Sequence, residues 1–164
     1  MSIVDCPHST PTWVEMGKIC LRTTNVKPRK LDLSIVNYVS EASYLERILR
    51  MRPIENDIVY SREGTSVFSA CLIPKDVAVC LGQRLMLLRV YDSLSSSYIM
   101  HYLNSPEILK YANVEQQGIA AKHINVKQVK NYAIPLPPLA EQRRIVERIE
   151  ELMELCDRIP KKVK

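Results

Sequence analysis

The chain has 164 residues, which is enough for one globular domain with a proper core and a helical appendage. Its apolar fraction of 46% and charged fraction of 25% are ordinary for a soluble protein, and no apolar run approaches the roughly 18 residues of a membrane span. The net charge of +5 permits a polyanionic partner without demanding one.

The chain contains five cysteines and no CxxC pair. An odd number of cysteines scattered among apolar neighbours is typical of buried free thiols in a reducing cytoplasm, where we expect this protein to act. The start of the chain does not have the pattern of a signal peptide, and no membrane association is expected. The cysteines are Cys6, Cys20, Cys71, Cys80 and Cys156.

The first 13 residues are polar and rich in turn formers, which predicts an ordered loop. Asp5, Cys6 and His8 lie close together in sequence, but no second cluster follows at a spacing typical of metal ligands, so no metal is expected. His8 beside such a loop could instead reach a phosphate or a base edge.

A short strand is predicted within residues 14–23, and three cations then surround a proline: Lys27, Arg29 and Lys30. A solvated loop is the ordinary explanation of such a charge run, and contact with phosphate is the functional one.

Ser40 is a suitable N-cap for a helix that ends before Pro53. Its apolar side would contain Tyr44, Leu45, Ile48 and Leu49.

Short apolar runs separated by turns occupy residues 56–91 and predict four or five strands in a curled, mostly antiparallel sheet. Two helices are predicted next, at 95–104 and 106–114, followed by a polar loop around Gly118. The predicted fold class is therefore α/β of the α+β type, a curled sheet with flanking helices.

Three prolines, Pro135, Pro137 and Pro138, lie within four positions and predict an extended, rigid segment. Pro138 is also suited to the first turn of a helix. Between Glu141 and Arg158 no glycine or proline interrupts, and the composition predicts one long helix.

That helix carries an apolar seam at heptad spacing. The seam fits either of two roles, because it could cover the core of its own domain or meet a partner helix. Its residues are Ile145, Ile149, Leu152, Cys156 and Ile159, and Val146 and Met153 widen it.

Catalytic motifs are absent from the sequence: it has no Gly-rich phosphate loop, no GxSxG and no HExxH. With five cysteines and three histidines, a chance Cys–His pair is expected, so a cysteine-dependent enzyme has little support. We expect neither catalysis nor a cofactor.

Polar and basic residues of the kinds that contact base edges and phosphates gather in the predicted loops. Each of them is equally compatible with an ordinary exposed position. The candidates for DNA contact are His8, Lys27, Arg29, Lys30, Arg62, Lys75, Gln116, Gln117, Lys122 and His123.

The stretch IPLPPLAEQRRIVERI at 134–149 strongly resembles the signature of specificity subunits of type I restriction-modification systems, a PLPPL-x-EQ-x-x-IV run that opens a long helix. DCPHSTP at 5–11, NDIVYSREGT at 56–65, LGQRL at 81–85 and the segment 118–125 are similar to motifs of the target recognition domains of that family.

The resemblance implies a non-catalytic subunit that recognises one half of a bipartite double-stranded DNA target. It also implies partners: modification subunits, which methylate adenine at N6 with S-adenosylmethionine, and a restriction subunit. Residues 1–133 would form the target recognition domain, and 134–164 a proline hinge with a spacer helix. The alternative is an assembly subunit that docks on the modification subunits without reading DNA.

Typical members of that family carry two recognition domains and two such helices, whereas this sequence has one of each. We therefore expect a two-fold homodimer through residues 139–159. An interrupted palindrome would be its target, because operator symmetry mirrors protein symmetry.

Overall fold

The computed structural model describes residues 1–62, 68–114 and 124–158, with the backbone alone for 111–114. Within these ranges the chain forms ten β-strands and five α-helices. The strands are β1 (Ser2–Asp5), β2 (Trp13–Val14), β3 (Lys18–Leu21), β4 (Val26–Lys27), β5 (Lys30–Leu31), β6 (Asn37–Val39), β7 (Ile58–Ser61), β8 (Ala70–Leu72), β9 (Val79–Leu81) and β10 (Leu85–Arg89). The helices are α1 (Glu41–Ile48), α2 (Ser96–Leu103), α3 (Pro106–Val114), α4 (Val126–Lys130) and α5 (Leu139–Arg158).

The strands form two four-stranded sheets and a two-stranded ribbon. The first sheet has the order β1-β10-β7-β8, the second has the order β2-β6-β3-β9, and β4 pairs with β5 in the ribbon. Every pair is antiparallel except β3 with β9. The predicted α/β class with mostly antiparallel strands is confirmed, although the strands are divided between two sheets instead of forming one.

The chain passes from the second sheet to the first at Gly82, between β9 and β10. Its N–H donates to the Leu21 carbonyl at 2.8 Å, and a Cβ added here would lie 2.5 Å from that oxygen. Such a contact is far shorter than van der Waals distance, so a residue without a side chain is required at this close approach.

The first sheet is buried on both faces, which explains the almost continuous apolar runs of β7 and β10. Alternate side chains such as Tyr60 and Met86 pack in one core cluster with the helices, while Val59 and Leu87 pack in another with residues of β3 and β9. The domain is thus layered, with α2–α5 on one face of the first sheet and the second sheet on the other, while α1 packs on the second sheet.

The N-terminal loop prediction was wrong for the first five residues. Ser2–Asp5 forms an edge strand in which Ser2 pairs with Arg89 and Asp5 pairs with Met86. Four residues followed by turn formers give a weak local signal, and the pairing partner is more than eighty residues away. The strand brings the loop after Asp5 to the end of the first sheet where β10 begins.

Helix α1 begins after Ser40, whose hydroxyl accepts the Ser43 N–H as predicted, but its buried face differs from the prediction. Leu45 and Leu49 are 51% and 80% exposed, whereas Arg47 is buried. The Arg47 guanidinium is buried where its Nη1 donates to the Leu81 carbonyl and its Nη2 donates to the Ser9 carbonyl, and these bonds offset part of the cost of burying the charge.

The proline segment is extended, as predicted, and is bound along α2. Tyr102 and Tyr98 donate their hydroxyls to two of its carbonyls at 3.3 and 2.9 Å, and the Gln142 amide donates to a third at 2.8 Å. Those three carbonyls belong to Ala133, Pro135 and Pro137.

Helix α5 covers the core of its own domain with its first turns only. Gln142 and Val146 are buried against the domain, and Ile145 packs at the edge of its core. Further along, Leu152 and Leu155 are 45% and 55% exposed. The first turns of α5 therefore cover the core of the domain, and the later turns present apolar side chains to solvent.

Candidate nucleic-acid interface

Three loops meet at one end of the first sheet. The loop after β1, the chain after β7 and the turn before β10 all leave the sheet there, because Asp5 pairs with Met86 and Leu85 pairs with Ser61. Loops at the end of a rigid sheet are common places for binding residues. His8 and Arg62, two of the predicted contact residues, lie in this group of loops.

His8 and Arg62 share the carboxylate of Asp5. The Oδ2 atom of Asp5 is 3.2 Å from Nη1 of Arg62 and 3.1 Å from Nε2 of His8, and Nη2 of Arg62 is 3.2 Å from Nδ1 of His8. Arg62 is 4% exposed, whereas the His8 side chain is 68% exposed. Arg62 is thus a buried support, and His8 is the member of the trio that is presented to solvent.

Further contacts fix the backbone of the loop that carries His8. The Gln83 amide donates to the His8 carbonyl, the Arg47 guanidinium donates to the Ser9 carbonyl at 2.8 Å, and the Cys6 N–H donates to the Leu85 carbonyl at 3.2 Å. These bonds come from two distant parts of the chain, helix α1 and the turn that enters β10. A loop held in this way presents its side chains without a large entropy cost on binding.

A crevice of about 230 Å³ lies between this loop and the second sheet. The Arg22 guanidinium lies over the Trp13 ring, 5.8 Å from its centroid, and Arg84 adopts a positive φ of 66° in the turn before β10. The sequence alone does not single out these side chains as candidates, although Gln83 and Arg84 lie within the LGQRL motif at 81–85. The crevice is lined by Thr10, Pro11, Trp13, Arg22, Thr23, Gln83 and Arg84.

Lys27, Arg29 and Lys30 lie together at the turn of the β4–β5 ribbon, and all three are exposed. Arg29 adopts a positive φ of 67°, and its N–H donates to the Ala70 carbonyl at 2.8 Å, which holds the turn against β8. Arg29 also lines a crevice with His101 of α2 and with residues of α5. These three cations therefore form a second group, close to the long helix.

Lys75 is exposed in the turn after β8, at the other end of the first sheet. Leu72 at the end of β8 pairs with Ile58 at the start of β7, whereas Arg62 follows the last residue of β7. Lys75 and Arg62 thus lie beyond opposite ends of the sheet. The described candidates occupy three separate parts of the surface.

Several predicted residues lie outside the described residues, so the structure places none of them. The described chain resumes next to the candidate interface, because the Ile124 N–H donates to the Arg62 carbonyl at 3.2 Å. The residues outside the described ranges are Gln116, Gln117, Lys122, His123 and, in the seam, Ile159.

The buried thiols near the interface are poorly suited to nucleophilic chemistry. Burial raises the pKa of Cys6, and it raises the pKa of Cys71 to about 12. Within the described residues, no group of three or more His, Cys, Asp or Glu is arranged to hold a metal ion. No helix in the same ranges is long and apolar enough to cross a membrane.

Residues 35–164 match the family described as the type I restriction modification DNA specificity domain. The chain belongs to this family. It is 25% identical over 151 residues to the type I restriction enzyme EcoBI specificity subunit of Escherichia coli, a match that covers 92% of this chain and 31% of that protein. The EcoKI specificity subunit of Escherichia coli K12 is 26% identical over 161 residues, which is 94% of this chain and 34% of the relative.

A solved structure shows the same fold. The crystal structure of the HsdS subunit from Thermoanaerobacter tengcongensis superposes with a TM-score of 0.61 at 24% identity and covers 94% of this chain and 35% of that one. The chain thus spans about a third of the length of the specificity subunits that it matches.

Proposed function

We propose that this chain is a DNA-recognition unit of a type I restriction-modification enzyme and that it reads one half of a bipartite DNA target. Membership of the specificity-domain family supports this proposal. The observation that carries it is the set of loops at one end of the first sheet, where Arg62 contacts the exposed His8 and Gln83 connects the His8 loop to the crevice of Arg22 and Arg84. Fixed loops rich in arginine, histidine and amide side chains suit phosphate and base contacts.

Within this proposal the candidate residues have different roles. His8 contacts DNA, and Arg62 acts mainly by holding His8, since its guanidinium is buried against Asp5. Lys27, Arg29 and Lys30 contact phosphate, and Lys75 contributes at most to long-range attraction because of its separate position.

The proposed unit acts with modification and restriction subunits in the cytoplasm. It catalyses no reaction itself and directs the methyltransferase to its DNA site. Residues 1–133 form the reading domain, and residues 134–164 form the segment and helix that position it. The relatives are named specificity subunits, which supports this division of labour.

Selection from a randomised duplex pool, followed by affinity measurements with and without modification subunits, tests DNA reading. We expect enrichment of a defined half-site, and we expect His8→Ala to weaken binding to the enriched duplex by about 1–3 kcal/mol if His8 touches a base. Arg143→Ala, which removes an exposed cation from α5, is the control. Failure to enrich any sequence under both conditions would favour an assembly subunit that does not read DNA.

We further propose that the exposed seam of α5 pairs with the same helix of a second copy. At 100° per residue, Ile149, Leu152 and Cys156 are rotated by about 40°, 100° and 60° around the helix axis from the midpoint between Gln142 and Val146. The seam is therefore a second apolar face, beside the one that is buried on the domain. Met153 lies on the same side of the helix as Gln142 and Val146, is half-buried, and lines the crevice beside His101.

Sedimentation at several protein concentrations tests the pairing. Leu152→Glu should shift a dimer to monomer because it places a charge in the seam, whereas Glu151→Gln on the neighbouring exposed position should leave the mass unchanged. A wild-type chain that stays monomeric at tens of micromolar would exclude the homodimer. A symmetric dimer would select an interrupted palindrome, so an asymmetric selected site would contradict it as well.

A further inference from the structure

We propose that the crevice between Trp13 and Arg84 binds a phosphate group of the DNA backbone, with Arg22 as its principal ligand. This inference rests on the proposed DNA-binding function and adds a contact site that the sequence candidates did not include. Among the seven residues that line the crevice, two are arginines, two are threonines and none is acidic. Such a lining offers N–H and O–H donors to an anion.

The two arginines line the crevice from different parts of the fold. Arg22 directly follows β3, and Arg84 lies in the turn that enters β10. A single phosphate can accept hydrogen bonds from both, because its unesterified oxygens share a full negative charge. A guanine edge, by contrast, offers two acceptor atoms that suit one bidentate arginine. Two arginines lining one crevice therefore fit a phosphate better than a base.

Arg22 is exposed and yet held in place. Its guanidinium lies over the Trp13 ring at 5.8 Å, its Nη1 atom is 3.5 Å from Oδ1 of Asn37, and its backbone N–H donates to Oδ1 of Asn25 at 2.9 Å. Stacking on an indole orients the guanidinium while leaving N–H groups at its edge for a ligand. The arrangement lowers the side-chain entropy that binding would otherwise remove.

The acidic group that contacts these loops, Asp5, is engaged by other side chains. The Asp5 carboxylate already contacts Arg62 and His8 at 3.2 and 3.1 Å. Gln83, which lines the crevice, donates its amide to the His8 carbonyl and so connects the crevice to the loop that carries His8. A phosphate bound here would therefore fix the register of the DNA relative to His8.

A salt series on three variants tests the inference. Affinities of wild type, Arg22→Ala, Arg22→Lys and Arg84→Ala are measured for the selected duplex and for a shuffled duplex of the same length. Each alanine variant should lose affinity by the same factor for both duplexes, and the slope of log K against log salt should become shallower, by at most about 0.9 for each protomer bound because both arginines contact one phosphate. Arg22→Lys should restore most of the slope because it keeps the charge. Arg143→Ala is the matched control and should change neither quantity.

The outcomes separate this inference from the proposed function. A wild-type chain that binds neither duplex refutes both proposals. DNA binding with an unchanged slope in Arg22→Ala and Arg84→Ala refutes the phosphate site alone. A loss confined to the selected duplex also refutes it, because it assigns these arginines to base reading. Thermal unfolding of each variant confirms that the fold is retained, and Arg84→Ala is an independent test if Arg22→Ala does not fold.

Discussion

Replacement of Gln142 by alanine should loosen the attachment of the long helix to the domain. Gln142 is 1% exposed, its Oε1 accepts the Ser95 N–H at 2.9 Å, and its Nε2 donates to the Pro137 carbonyl at 2.8 Å. Alanine leaves one donor and one acceptor without these partners, at about 1–3 kcal/mol each. Both backbone groups are on half-buried residues where water can replace part of the loss, so we expect a total of about 2–4 kcal/mol.

Urea denaturation followed by circular dichroism measures this loss in the free energy of unfolding. Wild type and variant are compared at the same protein concentration, because dimerisation would otherwise change the apparent stability. Glu147→Ala removes an exposed side chain from the same helix and should change the stability by less than about 0.5 kcal/mol.

Gln142→Met separates hydrogen bonding from packing, because methionine has a similar length and forms neither bond. We expect Gln142→Met to be destabilised nearly as much as Gln142→Ala. Restoration of wild-type stability by methionine would refute the reasoning, since the contribution of Gln142 would then come from filled volume. A Gln142→Ala variant within about 0.5 kcal/mol of wild type would refute it directly.

Two further predictions concern charged groups away from the interface. The buried carboxylate of Asp57 accepts hydrogen bonds from Nε and Nη2 of Arg89 at 2.8 and 2.7 Å. Asp57→Ala should lower the free energy of unfolding, measured in urea, by about 2 kcal/mol, a figure reduced because the Arg89 side chain is 35% exposed. Burial lowers the pKa of His101 below 6.5, although nearby Glu150 opposes this shift. As the pH falls below 6.5, the unfolded chain therefore binds a proton at this histidine before the folded chain does. The free energy of unfolding should therefore fall on acidification from about pH 7 to pH 5, by at most about 1.4 kcal/mol per pH unit. His101→Gln should remove this contribution. A variant with the same pH profile as wild type would contradict the prediction.

The helices were predicted well because their signals are local. Ser95 caps α2 through the Tyr98 N–H, Pro106 opens α3, and a run without glycine or proline gives α5. The short α4 was not predicted, although Asn125 and Gln128 form a reciprocal capping box at its start. Five residues give too little periodicity for a helix to be predicted from pattern alone.

The division into two sheets could not be predicted, because strand pairing joins distant parts of the chain. In the second sheet Cys20 pairs with Cys80 in parallel, and in the first Ser2 pairs with Arg89. The burial of Arg62 could not be predicted for the same reason, since its carboxylate partner, Asp5, lies 57 residues away in sequence. Residue type alone does not distinguish an arginine that supports a loop from one that meets a ligand.

The candidate interface could also be predicted only in part, because it too joins distant segments of the chain. His8 and the cations around Pro28 are predicted by residue type, and the structure places them at the surface. The crevice, by contrast, is assembled from residues 10–13, 22–23 and 83–84. Only the fold brings those three segments together, so neither spacing nor composition indicates Arg22 or Trp13.

The long helix and the basic turn are joined through α2 by a short series of hydrogen bonds. Gln142 of α5 bonds to the residue that caps α2. At the other end of α2, the Asn104 side chain bonds to both backbone groups of Ala70, and the Ala70 carbonyl also accepts the Arg29 N–H. If the seam of α5 pairs two copies, this connection sets the distance between the two reading domains without a flexible linker. The dimer would then bind DNA half-sites at one fixed spacing, and a loosened α5 would allow a wider range of spacings.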